Sequence, residues 1–259
     1  MRFRPCIDIH NGSVKQIVGG SLRDERDEAQ ENFVSVQDAS FYANLYRKKQ
    51  IKGGHIILLN PVTSPYYEET KRQAFLALGA YPGGLQAGGG ITPENAGAFL
   101  EAGASHVIVT SSVFSDGRIR HDRLLELQKK VGKEHLVLDV SVRMKEGRYY
   151  IVTDRWQKYT EVELTEQTLD TLAGYCDEFL VHAVDVEGKA GGIEEPVAEL
   201  LGSWGKKPVT YAGGVHSFED LDILKNLGQD RVDVTIGSAL SLFGGNMEFE
   251  EVLAYMKEA

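Results

Sequence analysis

Eight times along this 259-residue chain a short β-rich run gives way to a helical stretch, and no linker separates one unit from the next. That alternation leaves few ways to bury the strands. The economical closure is an α/β fold, a (β/α)8 TIM barrel occupying residues 1–259 as one domain, because eight parallel strands closed on themselves leave no sheet edge to protect. The length is ordinary for a barrel of this kind. A doubly wound open sheet is the alternative. It more often carries a glycine fingerprint directly after the first strand, which this chain lacks.

The pattern predicts strands at residues 55–59, 85–87, 107–109, 136–140, 179–182, 209–211 and 232–236, besides a first strand around Asp8. Helices are expected over 40–49, 67–78, 94–102, 122–131, 166–176, 196–204 and 218–226, with a last one from 248. Thr92 followed by Pro93 predicts an N-cap and first helical position, Gly103 a C′ glycine, and Ser217 another N-cap. Residues 13–18 read as a small added strand, and 148–152 as one arm of a hairpin. Residues 22–32 are dense in Asp, Glu and Arg and read as a long loop, a length usually reserved for lids or disorder.

The two halves of the chain resemble each other. Gly88-Gly89-Gly90-Ile91 recurs as Ala212-Gly213-Gly214-Val215, and Val109-Thr110-Ser111-Ser112 as Ile236-Gly237-Ser238-Ala239. An apolar run with one carboxylate set into it occurs at Asp8 and again at Asp139. The spacing is about half the chain in each case, too long for a solenoid, and fits two fused half-barrels. The third and seventh strands then face each other across the barrel, as do the fourth and eighth and the first and fifth.

Each Gly-Gly pair falls where a strand ends, at the catalytic face of a barrel. Glycine there lets backbone N–H groups approach an anion, and Thr110, Ser111, Gly237 and Ser238 at adjacent strand ends add donors. Gly89 and Gly90 with Thr110 and Ser111 form one expected phosphate cradle; Gly213 and Gly214 with Gly237 and Ser238 form the other. The expected ligand is a small molecule with a phosphate at each end. Asp8 and Asp139 would flank its middle, one protonated and one ionised, as acid–base chemistry requires. A charge in an apolar strand costs several kcal/mol unless paired or solvated, so two such aspartates ask for a reason. Trp156 offers a surface for stacking on a heterocycle or for packing under a hairpin. His10 reads as a turn or surface histidine, and His182 as one that packs or hydrogen-bonds at a strand end.

No metal or cofactor is expected, since the seven histidines show no paired ligand spacing. The net charge of −10 argues against nucleic acid and anionic membranes as partners. The two cysteines, Cys6 and Cys176, sit in apolar sequence and read as core residues in a reducing, cytoplasmic setting. No apolar stretch is long enough to cross a membrane. A monomer is the expected state.

Longer motifs extend the case. Cys6-Ile7-Asp8 with Asn11-Gly12 and Val14, the two glycine turns, Val107-Ile108-Val109-Thr110-Ser111, Leu138-Asp139 and Gly237-Ser238 together resemble the barrels of histidine biosynthesis over essentially the whole chain. Val14-Lys15-Gln16-Ile17-Val18-Gly19-Gly20, His182-Ala183-Val184-Asp185-Val186-Glu187-Gly188 and Phe243-Gly244-Gly245-Asn246 are similar to the fungal and plant isomerase branch. The resemblance implies a cofactor-free Amadori rearrangement of a ribosyl-phosphate aminoaldose to an aminoketose. Carried over, Asp8 is the base and Asp139 the acid. Gly20 joins the glycines and hydroxyls above in binding substrate, and Trp156 stacks on the imidazole carboxamide. The bacterial form has an Asp-rich second strand end, where this chain has Leu59-Asn60-Pro61. It also has a sixth-strand Thr assisting the acid, where this chain has Ala183; either Asp185 or Ser141 is expected to substitute. The rivals are the ammonia-dependent cyclase barrel of the same pathway and a non-catalytic phosphosugar-binding barrel. The His10-Asn11-Gly12 turn and Trp156 favour the isomerase over the cyclase.

Overall fold

The computed structural model describes residues 1–18, 21, 29–189 and 191–258. Eight strands run parallel in chain order: β1 (Cys6–His10), β2 (Gly54–Leu58), β3 (Leu85–Gly88), β4 (Val107–Val109), β5 (Leu136–Asp139), β6 (Glu178–His182), β7 (Val209–Ala212) and β8 (Val232–Val234). The ring closes through a parallel bridge between Phe3 and Val234. There Arg4 N–H donates to the Val234 carbonyl at 2.7 Å, and Val234 N–H to that of Arg2 at 2.9 Å. The closure rules out the open sheet.

Alternation along the strands sends one set of side chains outward under the helices and the other into the barrel. Tyr46, Phe99, Leu124, Leu127 and Leu169 are buried in the outer layer. Ile108, Val137, Leu180 and Ala212, with Ile57 against them, form a separate apolar plug inside. Polar groups at the C-terminal strand ends therefore stand above an apolar floor.

The N-terminal end is tied by charge. Arg4 Nε donates to Asp233 Oδ2 at 2.9 Å, and Arg2 Nε and N–H also reach Asp233. Both Arg4 and Asp233 are only 5% exposed, and their link joins the first and last strands. Removing one partner strands the other's charge, which costs about 3–5 kcal/mol. Asp233→Ala should therefore lower the midpoint of thermal unfolding by about 10 °C, read by calorimetry.

Six of the eight helices match expectation to within two residues, Glu166–Ala173 stops three residues short of the expected 176, and one starts differently. Ala96–Glu101 begins two residues late and is capped at Asn95, not at Thr92. Asn95 Oδ1 accepts the Thr92 N–H at 2.9 Å and Nδ2 donates to the Gly90 carbonyl, so residues 92–95 are held as a turn. Gly103 follows the helix with φ +112°, and Ser217 caps Phe218–Leu227 in a reciprocal capping box with Asp220.

Two additions ride on the barrel. Ser13–Ile17 pairs antiparallel with β1, and Glu31–Val34 pairs with Ser13–Ile17. Residues 31 and 32 are thus strand, not loop, while residues 22–28 and the expected ligand-binding Gly20 lie outside the described residues. After β5, the expected hairpin arm is the middle strand, Arg148–Thr153, of a three-stranded sheet with Val142–Lys145 and Lys158–Glu163. Cys6 and Cys176 are buried and unbridged.

Candidate active site

At the C-terminal mouth lies a cavity of about 520 Å³, adjoined by a small pocket of about 20 Å³. Asp8, His182 and Glu187 line both. Gly89, Gly90, Thr110, Ser111, Asp139 and Trp156 line the first, and Gly213, Gly214, Gly237 and Ser238 the second. Every described residue expected in the site is therefore at the mouth, and the two glycine turns lie on either side of the titratable trio.

The internal repeat survives at the level of backbone angles. Gly89 and Gly90 have φ +98° and +71°; Gly213 and Gly214 have +118° and +77°. A Cβ on Gly89 would stand 2.1 Å from the Leu58 carbonyl oxygen, and one on Gly213 would stand 2.7 Å from that of Ala183. Only glycine fits such a conformation pressed against a neighbouring strand end. In the adjacent turns, Val113 N–H donates to the Thr110 carbonyl and Leu240 N–H to that of Gly237, both at 3.0 Å. Among the described residues no internal bond occupies the N–H groups of Gly90, Ser111, Gly214 or Ser238. Ser112 Oγ is buried without a hydrogen-bond partner in the wall of the larger cavity. Unused donors gathered at a concave surface suit an anion.

Between the turns the electrostatics are uneven. Asp8 is partly open to the cavity and accepts from Gln16 Nε2 at 3.3 Å. Burial first, then repulsion from Glu187, pushes its carboxyl up to about 7, against the smaller opposing pull of His182 and Gln16. Asp139 goes the other way. Its burial is outweighed by the charge and contact of His182 and by two bonds from Ser141, so it is held below its usual value. Ser141 N–H and Oγ–H donate to Asp139 Oδ1 at 2.9 and 2.6 Å, and His182 Nδ1 lies 3.5 Å from the same oxygen. Burial alone would lower His182, but Asp139 foremost, then Glu187 and Asp8, hold it above its ordinary value. Burial raises Glu187, with His182 opposing. One imidazole thus faces three carboxylates.

Ser141 is the residue that supports Asp139. Asp185, the other candidate, is turned aside to accept from Arg143 Nε at 2.9 Å and Met144 N–H at 2.8 Å. Trp156 Nε1 donates to Ser141 Oγ at 3.1 Å, and its ring centroid lies 5.6 Å from that of His182. Asp154, Arg155 and Trp156 all have φ between +51° and +67°. Three such residues in a row are costly, and the Asp154 N–H bond to Ser111 Oγ at 3.0 Å anchors the turn to the glycine-turn side of the mouth. At the end of β2, buried Asn60 bonds the Asn11 N–H at 2.8 Å and Thr70, pinning the turn that follows Asp8.

Sequence reasoning missed three members of this group. His182 was expected to serve packing or hydrogen bonding, Glu187 was only one position of the His182–Gly188 motif, and Gln16 belonged to an added strand. His10, expected at a turn or surface, is a buried β1 residue, 2% exposed. A His106–Asp177–Glu178 group could hold an ion at the opposite end of the barrel. There Glu178 already engages Gln86 at 2.7 Å and Arg4 at 3.8 Å.

A closed α/β barrel with its titratable groups gathered at the C-terminal mouth is the architecture of a barrel enzyme. The chain belongs to the family described as histidine biosynthesis protein, whose model matches residues 2–247. It is 52% identical over 259 residues to a Medicago truncatula protein, with 98% of this chain and 81% of that one covered. That relative is named 1-(5-phosphoribosyl)-5-((5-phosphoribosylamino)methylideneamino) imidazole-4-carboxamide isomerase, chloroplastic. Proteins named as the same isomerase in Yarrowia lipolytica and Saccharomyces cerevisiae are 44% and 41% identical, covering 95% and 96% of this chain and 93% and 96% of their own.

Proposed function

We propose that this protein catalyses the isomerisation for which these relatives are named, by an Amadori rearrangement that needs no cofactor. The N-linked 5-phosphoribosyl aminoaldose would become the 5-phosphoribulosyl aminoketose. The observation that carries the reading is the placement of Asp8 and Asp139 in one cavity wall between two glycine turns of matching backbone geometry. A substrate with a phosphate at each end would span those turns and bring its reacting ribose to the carboxylates. Trp156 would stack on the imidazole carboxamide.

The chemistry needs one acid and one base. Protonation of the furanose ring oxygen lets the C1′–O bond break, with the glycosylamine nitrogen lone pair forming the Schiff base. A base then takes the C2′ proton, and the resulting enolamine collapses to the ketose. Asp8, titrating at about 7, is ionised in useful amount near neutrality and still basic enough to accept a carbon-bound proton. Asp139, with its Ser141 and His182 partners, forms the acid side. Cys6 and Cys176, buried and unbridged, suit a reducing compartment, and the cytoplasm is the one proposed. Among the described residues no helix is long and apolar enough to cross a membrane.

Purified protein should convert the aminoaldose with a change of chromophore in the absence of ammonia. Turnover that appears only when ammonia is added would instead identify the cyclase. Binding with no chemistry under either condition would leave a phosphosugar-binding barrel.

A further inference from the structure

His182 stands at the centre of the mouth. It is the last residue of β6, 7% exposed, and with Asp8 and Glu187 it lines both the large cavity and the small pocket. Asp139 lines only the large one. Nδ1 of His182 is turned to the Asp139–Ser141 pair, at 3.5 Å from Asp139 Oδ1 and 3.3 Å from Ser141 Oγ. Among the described residues Nε2 has no hydrogen-bond partner. Trp156 covers one side of the ring and His55 packs edge-on at 5.9 Å between centroids. The imidazole is therefore oriented from Nδ1, walled by aromatic rings and left with one ring nitrogen for a ligand. This is how a carboxylate–histidine pair is built when the histidine carries the proton.

We propose that His182 is a catalytic residue of this site, the acid that protonates the furanose ring oxygen from Nε2, while Asp139 orients the imidazolium and holds its charge. The inference rests on the isomerase reading above. In that step the Nε2–H bond breaks, an O–H bond forms on the ring oxygen, and the C1′–O electron pair leaves with that oxygen. Later, as the enolamine becomes the ketose, C1′ gains the proton that the base took from C2′. The 2′-hydroxyl proton then restores the imidazolium. No oxidant, reductant or co-substrate is required.

The groups facing His182 agree with this. Asp139 from β5, Glu187 from the loop after β6 and Asp8 from β1 all favour its protonated form, and burial opposes it; His55 from β2 is itself pushed down to about 3 by burial and by His182, and so adds no charge there. Arg155 and Lys158 also line the larger cavity. Asp139, held low by His182 and Ser141, keeps its ionised form, whereas the carboxylates around the histidine beside it favour the form that has a proton to give. Two carboxylates with opposite shifts and one imidazolium supply a base and an acid without asking Asp139 to protonate.

The test compares the parent with His182→Gln and His182→Asn at saturating and limiting aminoaldose from pH 6 to 9. The expected result is a loss of kcat by about 10²-fold or more in both variants, with KM within about threefold. The fall of parental activity at alkaline pH should vanish in the variants. Circular dichroism, thermal unfolding and retained affinity for inorganic pyrophosphate establish that the variants are folded with the mouth intact. Because a poorly folded variant would blur the comparison, the parent's His182 is also titrated by its imidazole carbon resonance. A charged imidazole at pH 7 that becomes neutral in Asp139→Asn is expected. Variants keeping kcat within threefold, an unchanged alkaline limb, or a neutral parental imidazole would each overturn the role of His182. A parent with no turnover at all would instead overturn the isomerase reading on which it rests.

Discussion

Asp8→Asn should reduce turnover by about 10³-fold while raising the thermal midpoint at pH 8 by roughly 5 °C. Both effects have one cause. The carboxylate sits in an apolar strand beside Glu187, and its folded-state pKa lies at about 7 against an ordinary 3.8. Below pH 3.8 it is protonated whether the chain is folded or not, and the folded state loses nothing. Between 3.8 and about 7 the unfolded chain gives up the proton first, so stability falls as pH rises; above about 7 the full penalty applies. A three-unit shift corresponds to about 4 kcal/mol. Water in the open cleft screens part of that, leaving on the order of 2 kcal/mol.

Asparagine keeps the acceptor for Gln16 Nε2 but carries no charge and cannot take the C2′ proton. The variant should therefore melt above the parent at pH 8 and alongside it at pH 4, as a pair of calorimetric scans would show. Equal midpoints at pH 8 would mean that the strand does not strain the carboxylate. Retained turnover would mean that Asp8 is not the base.

What could be read in the sequence was whatever the chain repeats or encodes locally. The glycine turns announce themselves because only glycine tolerates φ near +100° with a carbonyl 2.1 Å from where a Cβ would stand. Asp8 and Asp139 are conspicuous because charges are rare in apolar runs. Ser217 was legible because its capping partner lies three residues away. Thr92 was misread because Asn95, also three residues away, takes its N–H and moves the helix start. His182 was illegible for another reason. A histidine at the end of a buried strand usually serves packing, and its partners Asp139, Ser141 and Trp156 arrive from other segments. Ser141 and Asp185 were equal candidates until the three-stranded sheet turned Asp185 toward Arg143. Convergence of residues from eight strands is a property of closure, and no local pattern records it.

Asp139→Asn should also stop turnover, by about 10³-fold, yet its effect on stability has the opposite sign to that of Asp8→Asn. The depressed folded pKa of Asp139 contributes stability present above 3.8 and lost as pH falls through the folded value. The raised folded pKa of His182 contributes stability present below 6.5 and lost as pH rises through its folded value. The pair is therefore worth most between about pH 4 and 6.5, and the variant should be destabilised most in that window. Breaking a buried pair can cost 3–5 kcal/mol, but His182 can shed its proton, so about 2 kcal/mol is expected. The lost proton has a second consequence. An imidazolium currently pulls Asp8 and Glu187 down, and without it both carboxyls rise. Residual activity in Asp139→Asn should then gain its ionised base only at a pH above that of the parent. A shift of the acidic limb upward, with a melting point below the parent at pH 5.5, would show one network coupling acid and base. An unmoved limb would separate them, and Asp139 would then act on His182 alone.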